Sequence, residues 1–575
     1  MDRSKLARRL IEASHTTADH EKKASRMSTI DETFGHKTIK RERKDKAPLD
    51  KYTSRTRRGY KSNRSKPCKC QQNHTSETDL SDIQTEIPPP PPLSDVSDFS
   101  SSLPFTDEYL IRRKRRRRLW WPSRETRAQM IPVITSSIGT FIVGFSVAYH
   151  ALSEFIPPSL ANHLWVQNLF CLCGMFGAIF HGMIISWPRK KLLSIMSMAQ
   201  VISWLLVLFG RGELLLLGSR GIAGFASGIT VGLVQVYISE ISHPSNRGLA
   251  ASLPTFASIF GSLVCFSASR VISWYYVGIC GLIVSIVHSL ALMSILPESF
   301  RYLIRKGKPN SAMRSLEKLR GRPEIHPEFN AVQDACDILS LEKDFGTLKI
   351  FRPEFYKPVY IAGAIMFFGQ FSGIDGVLLF AFERYKNDAL PSSGFTHFPV
   401  VVLYCLQLVA TLVCGFLIDK KGKKLMLLVS TGTCAAAGLA LGLYILFEDL
   451  EIVDPAFPWN WIPVACVIIY AGAFSLGLGP IPWMLFGEFA PYKHKGLAVV
   501  ILGLLFWLPS LCINVTFVLM QSKLYLSGTL WFYTIFCIFG YLFVLLKLPD
   551  FKCVSLETIQ LHFISCRGNK IVDRY

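Results

Sequence analysis

Along most of the chain, apolar residues come in long blocks that carry few charges. They neither alternate nor recur every three to four positions. From about Met130 onward each block runs close to 20 residues, the length a helix needs to cross roughly 30 Å of hydrocarbon. Twelve blocks follow, at about 130–150, 164–187, 191–210, 214–238, 250–270, 274–296, 358–380, 397–418, 425–447, 461–486, 497–520 and 527–548. Several hold Gly or Pro, which membrane bundles tolerate because neighbouring helices re-satisfy the backbone. A polar insert from Ser299 to Tyr356 divides them six and six. The pattern predicts an all-α membrane protein with twelve transmembrane helices.

The first 125 residues are different material: rich in both charges, poor in large apolar residues, and broken by "IPPPPPL" at 87–93. Such a segment cannot bury enough surface to fold, so a disordered basic cytosolic tail over 1–125 is expected, with a stiff polyproline stretch at Pro88 to Pro92. That stretch fits a polyproline-binding partner. The tail ends in "RRKRRRRLWW", directly before the first span. Arg112 to Arg118 could serve nucleic acid, but beside a hydrophobic block the better reading is anionic lipid, with the two Trp at the interface.

The initial residues are charged and polar, unlike a secretory signal, so the tail is expected to stay in the cytosol. Twelve spans would return the C-terminus to the same side. The basic loops "WPRKK" (187–191), "DKKGKK" (419–424) and "YKHK" (492–495) then fall inside. The formal charge of +21 is concentrated in such places. The 15 cysteines have no regular spacing and suggest no disulfide framework. A metal site at Cys68, Cys70 and His74 is weaker than the reading of an ordinary polar tail.

The halves share marks at matching places. "SEISHPSNRG" follows the fourth span and "GEFAPYKHKG" the tenth, each with an acid, six residues, a base and a glycine: Glu240 with Arg247, Glu488 with Lys495. A repeat of six spans is how many secondary transporters are built, with the substrate between the halves. Glu240 with Arg247, and Asp419 with the Glu488 and Lys495 region, are expected to form ion pairs that hold the halves together in one state and break in the other. The competing reading is that loop charges only set topology. No phosphate-binding loop, metal cluster or nucleophile constellation stands out, so neither an ATP-driven pump nor an enzyme is indicated, and no cofactor is implied.

The segments "VGFSVAY" (143–149), "GSRGIAGFASGITVGLVQVYISEISHPSNRG" (218–248), "PESFRYLIRKGKPNSAMRSLEKLRG" (297–321), "GQFSGIDG" (369–376), "DKKGKK" and "GLGPIPWMLFGEFAP" (477–491) occur in an order that resembles sugar porters of the major facilitator superfamily. Among these the chain most resembles insect facilitated trehalose transporters. The resemblance implies two six-helix bundles, over 126–298 and 357–550, joined by a cytosolic helical linker over 299–356 and followed by a cytosolic tail over 551–575. It also implies a plasma-membrane location and a gate set of Arg220, Glu240, Arg247, Glu298, Arg301, Asp419, Lys423, Glu488 and Lys495.

Departures from the family pattern are informative. Where sugar porters usually read Q-Q-x-S-G-I-N in the seventh span, this chain has Gly369, Gln370 and Asp375. Gln407 keeps an eighth-span amide, and Trp483 and Trp507 keep the aromatic positions, while Phe506 replaces an asparagine and Thr255 a fifth-span glutamine. These six residues, Thr255, Gln370, Asp375, Gln407, Trp483 and Trp507, are the expected sugar contacts. Amides both donate and accept toward sugar hydroxyls, so losing two makes a less polar site. In the gate, Ile185 and Pro188 precede Arg189 and Lys190 where the family has aspartate and glycine; the second copy keeps Asp419 and Gly422. Proton-coupled members carry an aspartate where Ser146 stands, which favours passive sugar transport. Two alternatives stay open: proton-coupled transport through Asp375, and a non-transporting sensor or scaffold that signals through the tail.

Overall fold

The computed structural model describes residues 124–150, 163–210, 213–269, 271–322, 325–340, 351–378, 398–452, 461–491, 493–552 and 554–565. The expected lipid run Arg112–Arg118, the polyproline stretch Pro88–Pro92 and the Cys68–His74 group lie outside them.

The first half holds α1 (Arg124–His150), α2 (His163–Ile184), α3 (Arg189–Phe209), α4 (Glu213–Ile241), α5 (Arg247–Ala268) and α6 (Trp274–Ser294). Three short helices follow, α7 (Phe300–Arg305), α8 (Pro309–Arg320) and α9 (His326–Ser340). The second half holds α10 (Pro353–Phe371), α11 (Phe398–Lys421), α12 (Lys423–Asp449), α13 (Trp461–Leu476), α14 (Pro480–Phe489) and α15 (Lys495–Lys547), and α16 (Leu556–Ser565) closes the series. Among the described residues, eleven segments are long and apolar enough to cross a membrane, and α2 supplies a shorter apolar stretch, Asn168–Ile184. Together they occupy the twelve expected places. The 53-residue α15 is two spans that meet at Tyr525, whose φ of 55° turns the chain.

Large apolar side chains stay exposed on the outer faces, among them Ile131, Leu290, Phe416 and Phe539. Exposure of this kind on so many helices is what a lipid solvent, and not water, selects. Inside each half, α1 packs along α5, α2 along α4, and α10 and α12 along α15. The halves meet along two seams, α2 with α15 and α5 with α11.

The linker helices form for readable reasons. In α8, Ala312, Leu316 and Leu319 recur at helical spacing and are fully buried, and Gly321 ends the helix in the left-handed conformation at φ 64°. This burial lies in the core shared with α4 and α14, so the linker covers one end of the bundle.

Candidate functional site

The charged groups gather at that covered end. Glu240, in the last turn of α4, is buried at 2% exposure. Its carboxylate accepts from Arg189 Nη2 at 3.2 Å, Arg305 Nη2 at 3.1 Å and Lys495 Nζ at 2.7 Å. Burying one carboxylate is costly unless charge partners and hydrogen bonds replace water, and three cations do so here. Glu488, buried at the end of α14, binds Lys423 Nζ and lies 3.9 Å from Arg247 Nη1.

These contacts correct the pairing expected from sequence. Glu240 pairs with Arg189, Arg305 and Lys495 and not with Arg247, while Asp419 lies in the Glu488 region as expected, lining one cavity with Arg247, Lys423 and Glu488. The bases cross the midline: Lys495 from the second half reaches Glu240 in the first, and Arg247 from the first approaches Glu488 in the second. The reason is the seam geometry, because the start of α5 lies against α11 and the start of α15 against α2.

Asp419 does something else. Its Oδ1 accepts the Gly248 N–H at 2.8 Å and its Oδ2 the Leu249 N–H at 3.2 Å. The last turn of α11 thereby caps the start of α5, supplying acceptors for two orphan donors and negative charge at the positive end of a helix. A Cβ on Gly248 would fall 2.2 Å from Ile418 Cγ2, so only glycine allows the approach. In the other copy, the start of α15 meets Ile185, whose Cγ2 lies 3.3 Å from where a Gly496 Cβ would stand. The N-cap residue of α15, His494, makes no side-chain cap hydrogen bond of its own.

Glu298 caps α3 in a similar way: Arg189 N–H donates to Oε1 at 2.8 Å and Lys190 N–H to Oε2 at 3.2 Å. Burial raises the Glu298 carboxyl above its usual range, and these N–H groups and that of Ser299 offset this only in part. Arg301 joins the linker to the C-terminal helix through Glu557, with Nε to Oε1 at 2.6 Å, and its Nη1 donates to the Glu240 carbonyl. Burial would raise the Glu557 carboxyl, but Arg301 outweighs it and holds the group below the carboxylate range.

Three participants fall outside the expected gate set: Arg189, which the sequence placed only in the gate motif, Arg305 and Glu557. Arg189 is the counterpart of Lys423 after a motif that reads as damaged, and Glu557 sits in "VSLETI" without its expected neighbours. The matching spacing of the two copies pointed to the first; nothing local signals the other two.

Arg220 lies away from this network, near the start of α4. It is buried, stacks 5.0 Å from the Tyr149 ring and donates from Nη1 to the Ser146 carbonyl at 3.2 Å. No carboxylate among the described residues pairs with it.

The expected sugar contacts fall into two groups. Trp483 on α14 and Trp507 on α15 flank Phe506, with ring centroids 4.5 and 5.3 Å away, and Trp507 continues to Phe170 on α2 at 6.0 Å. The second group surrounds a break in α10. After Gln370, Gly373 takes φ 76° and helix resumes at 374–378. Tyr470 on α13 pins the break by donating its hydroxyl to the Ser372 carbonyl. Gly373 also needs its missing Cβ, which would stand 2.3 Å from Tyr533 Cγ. Asp375 is exposed between buried Ile374 and Gly376. Gln407 is buried one turn beyond Tyr404, and Thr255 is half-buried on α5, beside Pro254, whose carbonyl accepts from Thr140. At Gly369 a Cβ would make ordinary contacts, 3.5 Å to the Leu478 carbonyl, so the usual glutamine is missing there without being excluded.

Residues 126–563 match the family described as Sugar (and other) transporter. A relative named facilitated trehalose transporter Tret1 from Apis mellifera ligustica is 27% identical over 447 residues, covering 76% of this chain and 88% of the relative. One of the same name from Bombyx mori is 28% identical over 445 residues, covering 76% and 87%. Among solved structures, the proton:xylose symporter XylE bound to 6-bromo-6-deoxy-D-glucose aligns with a TM-score of 0.68 at 20% identity, covering 76% of this chain and all of that one. The inward open XylE from E. coli aligns at 0.54 and 20% identity, covering 75% and 98%. The fold is that of the major facilitator superfamily.

Proposed function

Because the chain belongs to the Sugar (and other) transporter family, we propose that it is a facilitative sugar carrier working by alternating access, with trehalose and hexoses as the first substrates to try. The observation that carries the mechanism is the crossed lock: Lys495 to Glu240, Arg247 to Glu488, and the Asp419 cap on α5 all join one half to the other at a single end. Interactions of a few kcal/mol each are strong enough to hold that end shut and weak enough to break when substrate favours the opposite state. The basic loops around 187–191 and 419–424 support a cytosolic position for this end, with both termini on the same side and the protein in the plasma membrane. Arg112–Arg118 would then rest on anionic lipid.

Passive movement is supported by Arg220. Its guanidinium is held by the Tyr149 ring and the Ser146 carbonyl, so the place where coupled members carry a first-span aspartate has no acid to take a proton.

Uptake of labelled trehalose and glucose by the full chain in transport-null cells, with and without a pH gradient, tests this reading. Saturable uptake indifferent to the gradient is expected. Uptake that follows the gradient and vanishes in Asp375→Asn assigns coupling to that residue and overturns passive transport. Binding without flux overturns transport itself.

A further inference from the structure

The lock uses only one corner of Arg247. Its Nη1 donates to the Val554 carbonyl at 3.1 Å and lies 3.9 Å from Glu488 Oε1. Nε and Nη2 are buried without a hydrogen-bond partner among the described residues, in a side chain whose residue is only 4% exposed. In a guanidinium these two nitrogens form a set: their N–H bonds point the same way along one edge, the fork that takes two oxygens of a carboxylate or phosphate at once. A buried charged donor without an acceptor is costly, so a whole edge left in this way calls for an acceptor from outside the chain.

Arg247 lines a cavity of about 350 Å³, counting the part open to solvent, whose walls include Gly248, Asp419, Lys423, Glu488 and Lys552. Three cations meet two carboxylates there. Both Asp419 oxygens accept N–H groups at the start of α5, and Glu488 holds Lys423. Close by, Asp550 pairs with Lys552 at 2.9 Å and Glu557 with Arg301 at 2.6 Å. Each of these acids has its own donors, and the Arg247 edge is left over. Water meets such an edge with ordinary hydrogen bonds; an oxyanion makes charge-assisted bonds to both donors and gains from the lysines beside them. A phosphate group, with about two negative charges and three acceptor oxygens, matches three cations better than a carboxylate does.

We propose that this cavity binds a phosphate-type oxyanion, held by the Nε and Nη2 fork of Arg247 with Lys423 and Lys552 beside it. Arg247 belongs to the first half, Lys423 and Lys552 to the second, so the bound anion joins the halves and keeps this end closed. The site does not depend on the sugar-carrier reading. Free phosphate and the headgroup of an anionic lipid share this chemistry, and separate probes distinguish them.

Inorganic phosphate and short-chain phosphatidic acid, each titrated calorimetrically into the purified full-length protein in detergent at constant ionic strength, test the site. Saturable binding of phosphate assigns a soluble ligand, and binding of the lipid alone assigns a headgroup. Affinity should fall about tenfold in Arg247→Lys, which keeps the charge and loses the fork. It should fall about threefold in Lys552→Gln, a half-exposed position whose change leaves the fold intact, and stay the same in Lys191→Gln, which lies outside the cavity. Thiol labelling of Cys414, fully buried on α11, should slow severalfold when the site is filled in the natural chain and not in Arg247→Lys. Absence of binding by both probes, equal affinities in the natural chain, Arg247→Lys and Lys552→Gln, or labelling indifferent to the bound anion overturns the proposal.

Discussion

The two copies of the gate close the same end by different means. In the second half, Asp419 accepts two N–H groups at the start of α5, so charge and helix dipole join α11 to α5. In the first half, Ile185 stands at the matching place, and α2 meets α15 by close packing around Gly496. The acids also differ. Glu488 is held by Lys423 and a distant Arg247, while Glu240 gathers Arg189, Lys495 and the linker residue Arg305. A lost carboxylate on one seam is thus matched by an extra cation drawn from the linker, and the lock of the first half depends on α7 in a way the second does not.

Removing the acid of the first copy has the largest expected effect. Glu240→Gln leaves Arg189, Arg305 and Lys495 facing one another without a counter-charge, which costs the closed end about 3–5 kcal/mol. Thiol labelling of Cys414, fully buried on α11, should speed up well over tenfold; unchanged labelling would mean that the three cations do not hold this end.

The seam difference is tested next. Asp419→Asn removes the charge at the start of α5 and should weaken closure by about 1–2 kcal/mol. Ile185→Asp supplies the first copy with the acceptor it lacks and should strengthen closure by about 1 kcal/mol. Sugar uptake and Cys414 labelling read both, and the two variants should move the labelling in opposite directions. Movement in the same direction would mean that the two seams are not counterparts.

The smallest effect concerns the linker. Because Arg301 holds Glu557 below the usual carboxylate range, the pair contributes stability that is present above the ordinary carboxyl pKa and is lost as pH falls through the lower folded value. Hydrogen exchange in α16, corrected for intrinsic rates, should therefore increase only at pH below the ordinary carboxylate range. An increase that begins near neutral pH would point to another group.

The twelve spans were legible because a run of about 20 apolar residues has one physical use. The buried face of α8 was legible because Ala312, Leu316 and Leu319 keep a period of one turn. Asp375 and Asp419 announced themselves as carboxylates in places where carboxylates are costly. The partners were not legible: Lys495 lies 255 residues from Glu240, and Glu557 lies 256 from Arg301. No local rule sets which base crosses to which acid. The seams decide it, and the seams follow from how whole helices pack.

Asp419 caps the start of α5 at one seam, and Ile185 stands at the matching place beside the start of α15 at the other. Hydrogen exchange at the starts of α5 and α15 compares them directly. Gly248 and Leu249 should exchange more slowly than Gly496 and Leu497 in the natural chain, and the difference should disappear in Asp419→Asn. Equal protection at the two starts, or a difference that persists without the carboxylate, would contradict the account.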